Sequence, residues 1–299
     1  KKFKKKYRGD RAFYRHYLLL AVPMILQNAI TNLVSFLDNI MVGQLGTEQM
    51  SGVAIVNQLI FVYNLAIFGA VSAASIFGAQ YFGNGDHRGH MHSFRFKLYA
   101  TLLVSGLTML LLLTKGSDLI SLYLTDTVGN GATDVALQYG KQYLVIMLVG
   151  LVPFAVNQAY ATNIKETGQT LVPMLASFVA VGTNAVLDYL LIFGVGPFPE
   201  LGVTGAALAT VIARYVEAVI VVLWAHRNRE KNRYLEGAYR GFGIPVSELK
   251  TILIKGLPLM FNEVLWAAGM TTVTQCYSVR GLDVVAGLNI ATTITNLFN

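Results

Sequence analysis

Four acidic residues fall inside long apolar stretches of this chain: Asp38, Asp188, Glu217 and Glu263. An ionisable side chain near the centre of a bilayer costs at least about 2.5–3.5 kcal/mol, so handling of an ion or a proton is the default reading of each. Asp38 comes 21 residues after Tyr17, where the first apolar stretch begins, and Asp188 comes 21 residues after Thr167, close to where the fifth begins. If both stretches are helices entering from one side, their carboxylates reach the same depth. Asn184 is one turn before Asp188 on the same face. Thr210, roughly nine residues into the sixth stretch from its outer end, reaches a similar level. Two carboxylates, an amide oxygen and a hydroxyl make an all-oxygen set suited to a hard monovalent cation. Equally, the two acids could share a proton, because close carboxylates do not both ionise cheaply. The plainer alternative is that Asp38 and Asp188 sit at a membrane end wetted by outer water.

Glu263, eight residues into the seventh stretch, reads the same way, against the alternative of a side chain reaching back to the interface. Glu217 differs, because Arg214 precedes it by three residues on the same helix face, and a structural ion pair is expected there. His87, His90 and His92 occur in HRGHMH, read as a solvated basic loop rather than a metal site. GAQYFGNGD supplies turn residues and no phosphate-binding Lys and Ser pair. The chain shows no nucleophile elbow, zinc-protease helix or nucleotide motif. It is therefore not expected to be an enzyme, and any active transport draws on an ion gradient rather than ATP.

The elements that must position these residues follow from composition. Of 299 residues, 54% are hydrophobic and 13% charged, with mean hydropathy +0.53, whereas a soluble domain carries about 25% charge. The single cysteine excludes a disulfide framework or a cysteine zinc site. A membrane helix needs about 20 mostly apolar residues. Eight such spans are expected, at about 17–41, 50–81, 98–114, 142–162, 169–194, 201–225, 256–279 and 284–299. The net charge of +7 points to a membrane surface rather than nucleic acid, because the basic residues lie between apolar runs. Of the 23 Lys and Arg, the N-terminus and the segments after spans two, four and six hold eight, three, one and seven. That bias predicts a cytoplasmic N-terminus. The domain reading is a basic N-terminus (1–16), a six-helix lobe (17–225), an inter-lobe loop (226–255) and the start of a second lobe (256–299).

A shift of 235 residues lays Pro23 on Pro258, Gln27 on Asn262, Gly46 on Gly281 and Gly52 on Gly287. Six spans separate the copies, so the repeats would be parallel, an architecture that places a substrate path between the halves. The last span stops early and no initiator Met is present, so a fragment of a longer protein is expected.

Several segments are similar to the multidrug and toxic compound extrusion (MATE) family. They are VPMILQNAI and FLDNIMVGQLG in the first span, GAQYFGNGD after the second, NAVLDYLLIFG in the fifth, LGVTGAALAT in the sixth and LPLMFNEVLW in the seventh. The resemblance covers about residue 15 to the end and is to the prokaryotic type. It implies an all-α, polytopic bundle of twelve helices in two lobes, of which this chain would hold the six-helix N-terminal lobe and the first two helices of the second. It implies export of cationic amphipathic drugs in antiport with Na⁺ or H⁺, by a monomer in the bacterial cytoplasmic membrane, with no other cofactor. Asp38 matches the family's first-helix acid, Asn184 and Asp188 its fifth-helix pair, Thr210 its sixth-helix hydroxyl, and Glu263 an acid of the second-lobe cation site. Gln27, Tyr63, Asn64, Asn157 and Asn262 are assigned to the substrate cavity. The alternatives are a lipid-linked precursor flippase of related fold, which needs a basic cavity that no span supplies with clustered Arg, and a polytopic membrane enzyme built on HRGHMH.

Overall fold

The computed structural model describes residues 10–124, 132–241 and 243–296. The first helix, α1 (Arg11–Gly43), is started by Asp10, whose carboxylate accepts from the Phe13 amide at 2.7 Å. This is a side-chain cap for an otherwise unpaired donor. It is followed by α2 (Thr47–Gly83), α3 (His87–Ser121), α4 (Ala132–Val149), α5 (Leu151–Glu166), α6 (Leu171–Ile192), α7 (Val203–Arg227), α8 (Val246–Ser278) and α9 (Leu282–Asn296). Five of these, α1, α2, α3, α6 and α7, are long and apolar enough to cross a membrane, and α4 with α5 makes a sixth crossing bent by 45°. The fourth expected span is thus broken. Gly150 stands at the break, and Pro153, three residues on, lacks the amide that would bond back across it.

The burial pattern is inverted relative to a soluble protein. On α3, Leu103, Leu107, Leu110 and Leu113 face outward, while Lys97, Thr101 and Ser105 are buried. Only a surround as apolar as leucine makes that arrangement cheap. The interior is held by close helix contacts at small residues. A Cβ on Gly52 would lie 2.5 Å from the Ala136 carbonyl of α4, and one on Gly205 would lie 2.6 Å from the Leu191 carbonyl of α6. α8 and α9 both pack against α2, with Gly256 of α8 set against Ala73.

Two further expectations are corrected. The basic segment after α2 is not a loop: Asp86 caps α3 by accepting from the Gly89 amide at 3.0 Å, and HRGHMH forms the helix's first turns. α8 begins at Val246, so its first turns lie within the stretch expected as inter-lobe loop.

Candidate functional site

α1 and α6 run side by side in the same direction, and their register is fixed by one hydrogen bond. Gln27 Nε2 donates to Ser177 Oγ at 2.7 Å across an offset of 150 residues. Asp38 and Asp188 have the same offset and lie 11 residues further along each helix. Eleven residues are three turns, so both acids return to the shared face about 16 Å beyond the glutamine. The two carboxylates lie within each other's field. Asp188 is 1% exposed, and Oδ1 of each acid is buried without a hydrogen-bond partner among the described residues. Neither acid has an ion-pair partner there.

Asn184, one turn from Asp188, donates to Thr210 Oγ1 of α7 at 3.4 Å, and its amide lies beside the Asp188 carboxylate. The structure thereby brings Asp38, Asn184, Asp188 and Thr210 into one layer between α1, α6 and α7. Sequence reasoning missed a fifth member. Tyr143 of α4 is 1% exposed, lies in the field of both acids and donates to Asn57 Oδ1 of α2 at 3.3 Å. An apolar stretch with several tyrosines carries no mark that singles it out. Among the described residues, no three His, Cys, Asp or Glu cluster in a way that suits a metal ion. The layer mixes carboxylate, amide and hydroxyl oxygens, a donor set for a weakly held hard cation.

Other expected site residues lie elsewhere. Tyr63 does not line a cavity: it is 2% exposed, donates to the Leu151 carbonyl at 2.8 Å and bonds Ser105 Oγ at 2.8 Å. Its hydroxyl ties α2 to α3 and to the start of α5. Asn157 is buried in α5 and Asn64 is half-buried in α2, each with an unpartnered side-chain oxygen. Asn262 is exposed on α8. The Glu263 side chain lies outside the described residues.

The ion pair expected between Arg214 and Glu217 is absent. Arg214 turns to the Phe154 ring, 5.1 Å from its centroid, and to the Gly150 carbonyl at 3.4 Å. Glu217 instead accepts from Ser177 Oγ at 2.5 Å. Shared helix face permits a pair, but the break in the fourth crossing offers Arg214 the Gly150 carbonyl, which among the described residues otherwise accepts only a long 3.4 Å bond from the Phe154 amide, and an aromatic face instead.

His87 is exposed, as expected, but His90 and His92 are not solvated loop residues. At the end of the bundle where α1 begins, called the basic end below, His90 is 1% exposed and its Nε2 lies 3.1 Å from Glu166 Oε2. Lys97 bonds both Glu166 Oε1 and Asn163 Oδ1. His92 Nδ1 meets Glu248 Oε2 at 2.8 Å, joining α3 to α8. Gly78 of α2 leaves room for this carboxylate: a Cβ there would sit 2.3 Å from Glu166 Oε2. Arg95 bonds the carbonyls of Gly237, Ala238, Arg240 and Gly243 at 2.7–3.1 Å.

Apolar crossings that turn leucines outward and enclose a layer of carboxylate, amide and hydroxyl oxygens define a polytopic membrane protein. The family model MatE matches residues 23–190, more than half of the chain, and the chain belongs to the MATE family. A probable multidrug resistance protein NorM of Thermotoga maritima is 26% identical over 285 residues, covering 95% of this chain and 59% of the relative. One of the same description from Bacillus licheniformis is 26% identical, covering 93% and 60%. The chain therefore spans about three-fifths of the length of these relatives. Among solved structures, an inward-facing multidrug resistance MATE family transporter of the MOP superfamily superposes with TM-score 0.73 at 23% identity, covering 94% of this chain and 61% of that one. An outward-facing form gives 0.74 at 22% identity, with 94% and 63% covered. At these identities the likeness establishes the fold.

Proposed function

We propose that the full-length protein is a secondary active multidrug exporter that expels cationic amphipathic compounds in antiport with Na⁺ or H⁺. The observation that carries this reading is the pair of carboxylates Asp38 and Asp188, each with a buried oxygen that has no partner among the described residues, set beside Asn184 and Thr210. Two like charges in a low-dielectric layer favour uptake of one positive charge. A helix pair whose charge changes on uptake has a reason to repack, which is what alternating access requires.

The basic end faces the cytoplasm in this reading, following the Lys and Arg bias, and the membrane is the bacterial cytoplasmic membrane. Glu263 contributes to a second-lobe cation site completed by helices outside this chain. Gln27, Asn64, Asn157 and Asn262 supply polar contacts near the drug path, and the protein acts as a monomer without a catalytic group. The NorM relatives, named as multidrug resistance proteins, support the substrate class.

Ethidium efflux from cells carrying the full-length protein provides the test. Asp38→Asn is expected to lower the efflux rate at least about tenfold at equal membrane expression, the loss of a group acting in the coupled step (about 1.4 kcal/mol or more). Wild-type efflux by that variant removes Asp38 from the mechanism.

A further inference from the structure

Three turns nearer the basic end than Asp38 and Asp188, the same helices build a second polar layer. Gln27 Nε2 donates to Ser177 Oγ at 2.7 Å, and Ser177 Oγ donates to Glu217 Oε1 at 2.5 Å. The Asn157 amide of α5 lies beside the same carboxylate. Once these donors are spent, two acceptors remain. Among the described residues, Gln27 Oε1 and Asn157 Oδ1 are both buried without a hydrogen-bond partner, and Asn157 as a whole is 3% exposed. A buried acceptor left unmet is costly. All the unmet atoms here are oxygens, so the layer calls for an electropositive guest rather than an anion.

We infer that Gln27, Asn157, Ser177 and Glu217 form a second cation station, through which the coupling ion passes between the Asp38–Asp188 layer and the basic end. The inference rests on the ion-coupling reading above and adds a route to it. Carboxylate, two amide oxygens and a hydroxyl suit Na⁺, and equally a protonated water. The charges around Glu217 set how strongly it binds. Lys165 of α5 and Arg214 of α7 both lie in its field, so a cation arriving there meets two positive charges as well as one negative. A conducting path needs sites that accept an ion yet let it go. The outer layer sets two acids together, with Arg214 in the field of its Tyr143, and is the tight site; the inner station, one acid in the field of both Lys165 and Arg214, is the shallow one. That contrast gives the ion a reason to leave toward the basic end once the outer layer has closed behind it.

The experiment uses full-length protein in proteoliposomes, with ethidium as cargo and Na⁺ and pH gradients imposed in separate arms. Ion binding to the outer layer is read independently, as the midpoint of ion-dependent thermal stabilisation in detergent. Glu217→Gln keeps the side chain's size and an acceptor for Ser177. It is expected to slow gradient-driven ethidium transport at least about tenfold while shifting the ion midpoint less than about threefold. Asn157→Leu, which removes one unmet oxygen, is expected to slow it at least about threefold. Slowing in the Na⁺ arm assigns sodium to the station and slowing in the pH arm assigns a proton; either supports it. Driven rates within twofold of wild type for both variants overturn the station, even with the outer site intact. Asp38→Asn is expected to lose both the midpoint and the transport. If it keeps both, the ion-coupling reading itself falls, whatever the inner variants do.

Discussion

At the basic end, buried charge is matched group by group. Lys97 meets Glu166 and Asn163, Glu166 uses its second oxygen on His90, and Arg95 spends its guanidinium on four backbone carbonyls. At the opposite end of the same lobe, neither Asp38 nor Asp188 has an ion-pair partner among the described residues, and an oxygen of each is unmet there. Both regions bury polar groups among apolar helices, so the bilayer alone does not explain the difference. Satisfied charge fixes one arrangement, because breaking any pair strands its partner in a low-dielectric interior. Unsatisfied charge leaves the arrangement dependent on what arrives. The first region reads as a joint between α3, α5 and the segment leading to α8, and the second as a place where a guest changes the energetics.

The comparison breaks if the joint proves dispensable, and its largest expected effect is at Lys97. Lys97→Met leaves Glu166 buried with His90 as its remaining side-chain partner among the described residues. Removing one partner of a buried pair costs about 3–5 kcal/mol, so thermal unfolding in detergent should shift strongly downward and membrane yield should fall. The double variant Lys97→Met with Glu166→Gln removes the stranded charge as well and is expected to recover most of the loss. A single variant as stable as wild type would mean the network does not hold the lobe.

Arg95 sharpens the same point with a smaller effect. Its partners are neutral carbonyls of the segment 237–243, near the water-facing end, and water can replace a guanidinium there more readily than at Glu166. Arg95→Ala is expected to cost about 1–3 kcal/mol, in the range for a charged donor lost from neutral acceptors. Limited proteolysis should then cut the 228–245 segment several-fold faster. Unchanged cleavage would place the anchor of that segment elsewhere, for example at the His92–Glu248 contact.

Much of the outer layer was legible in the sequence because membrane helices convert residue count into depth. Counted from Tyr17 and Thr167, Asp38 and Asp188 fall at equal depth; the helices themselves begin at Arg11 and Leu171, and it is the shared offset of 150 with Gln27 and Ser177 that shows the common register. What the sequence hid was choice of partner. The run HRGHMHSFRFK is dense in charge and reads as solvated, yet its countercharges, Glu166 and Glu248, come from helices far along the chain. Arg214 and Glu217 share a face, but spacing does not show that a broken crossing would offer Arg214 something else, or that Ser177 would reach Glu217 first. Gly150 and Pro153 mark that break in retrospect. Either residue is common enough in membrane helices that neither forces a bend alone.

The smallest expected effect is the most discriminating, because it concerns stability and not transport. Asp188→Asn keeps the side chain's shape and removes one of two facing carboxylates. Were Asp188 a structural residue like Glu166, its loss would cost several kcal/mol. As an unmatched acid beside another acid it contributes no favourable pair to lose, and its own burial is unfavourable. Its amide replacement still fits beside Asn184 and Thr210. The thermal midpoint of Asp188→Asn in ion-free detergent should therefore stay within about 1 kcal/mol of wild type or rise, while the stabilisation that Na⁺ or acid confers on the wild type disappears. A large fall in stability would show that Asp188 is matched by a group outside the described residues. The two ends of the lobe would then follow one rule, and the outer layer would be a second joint.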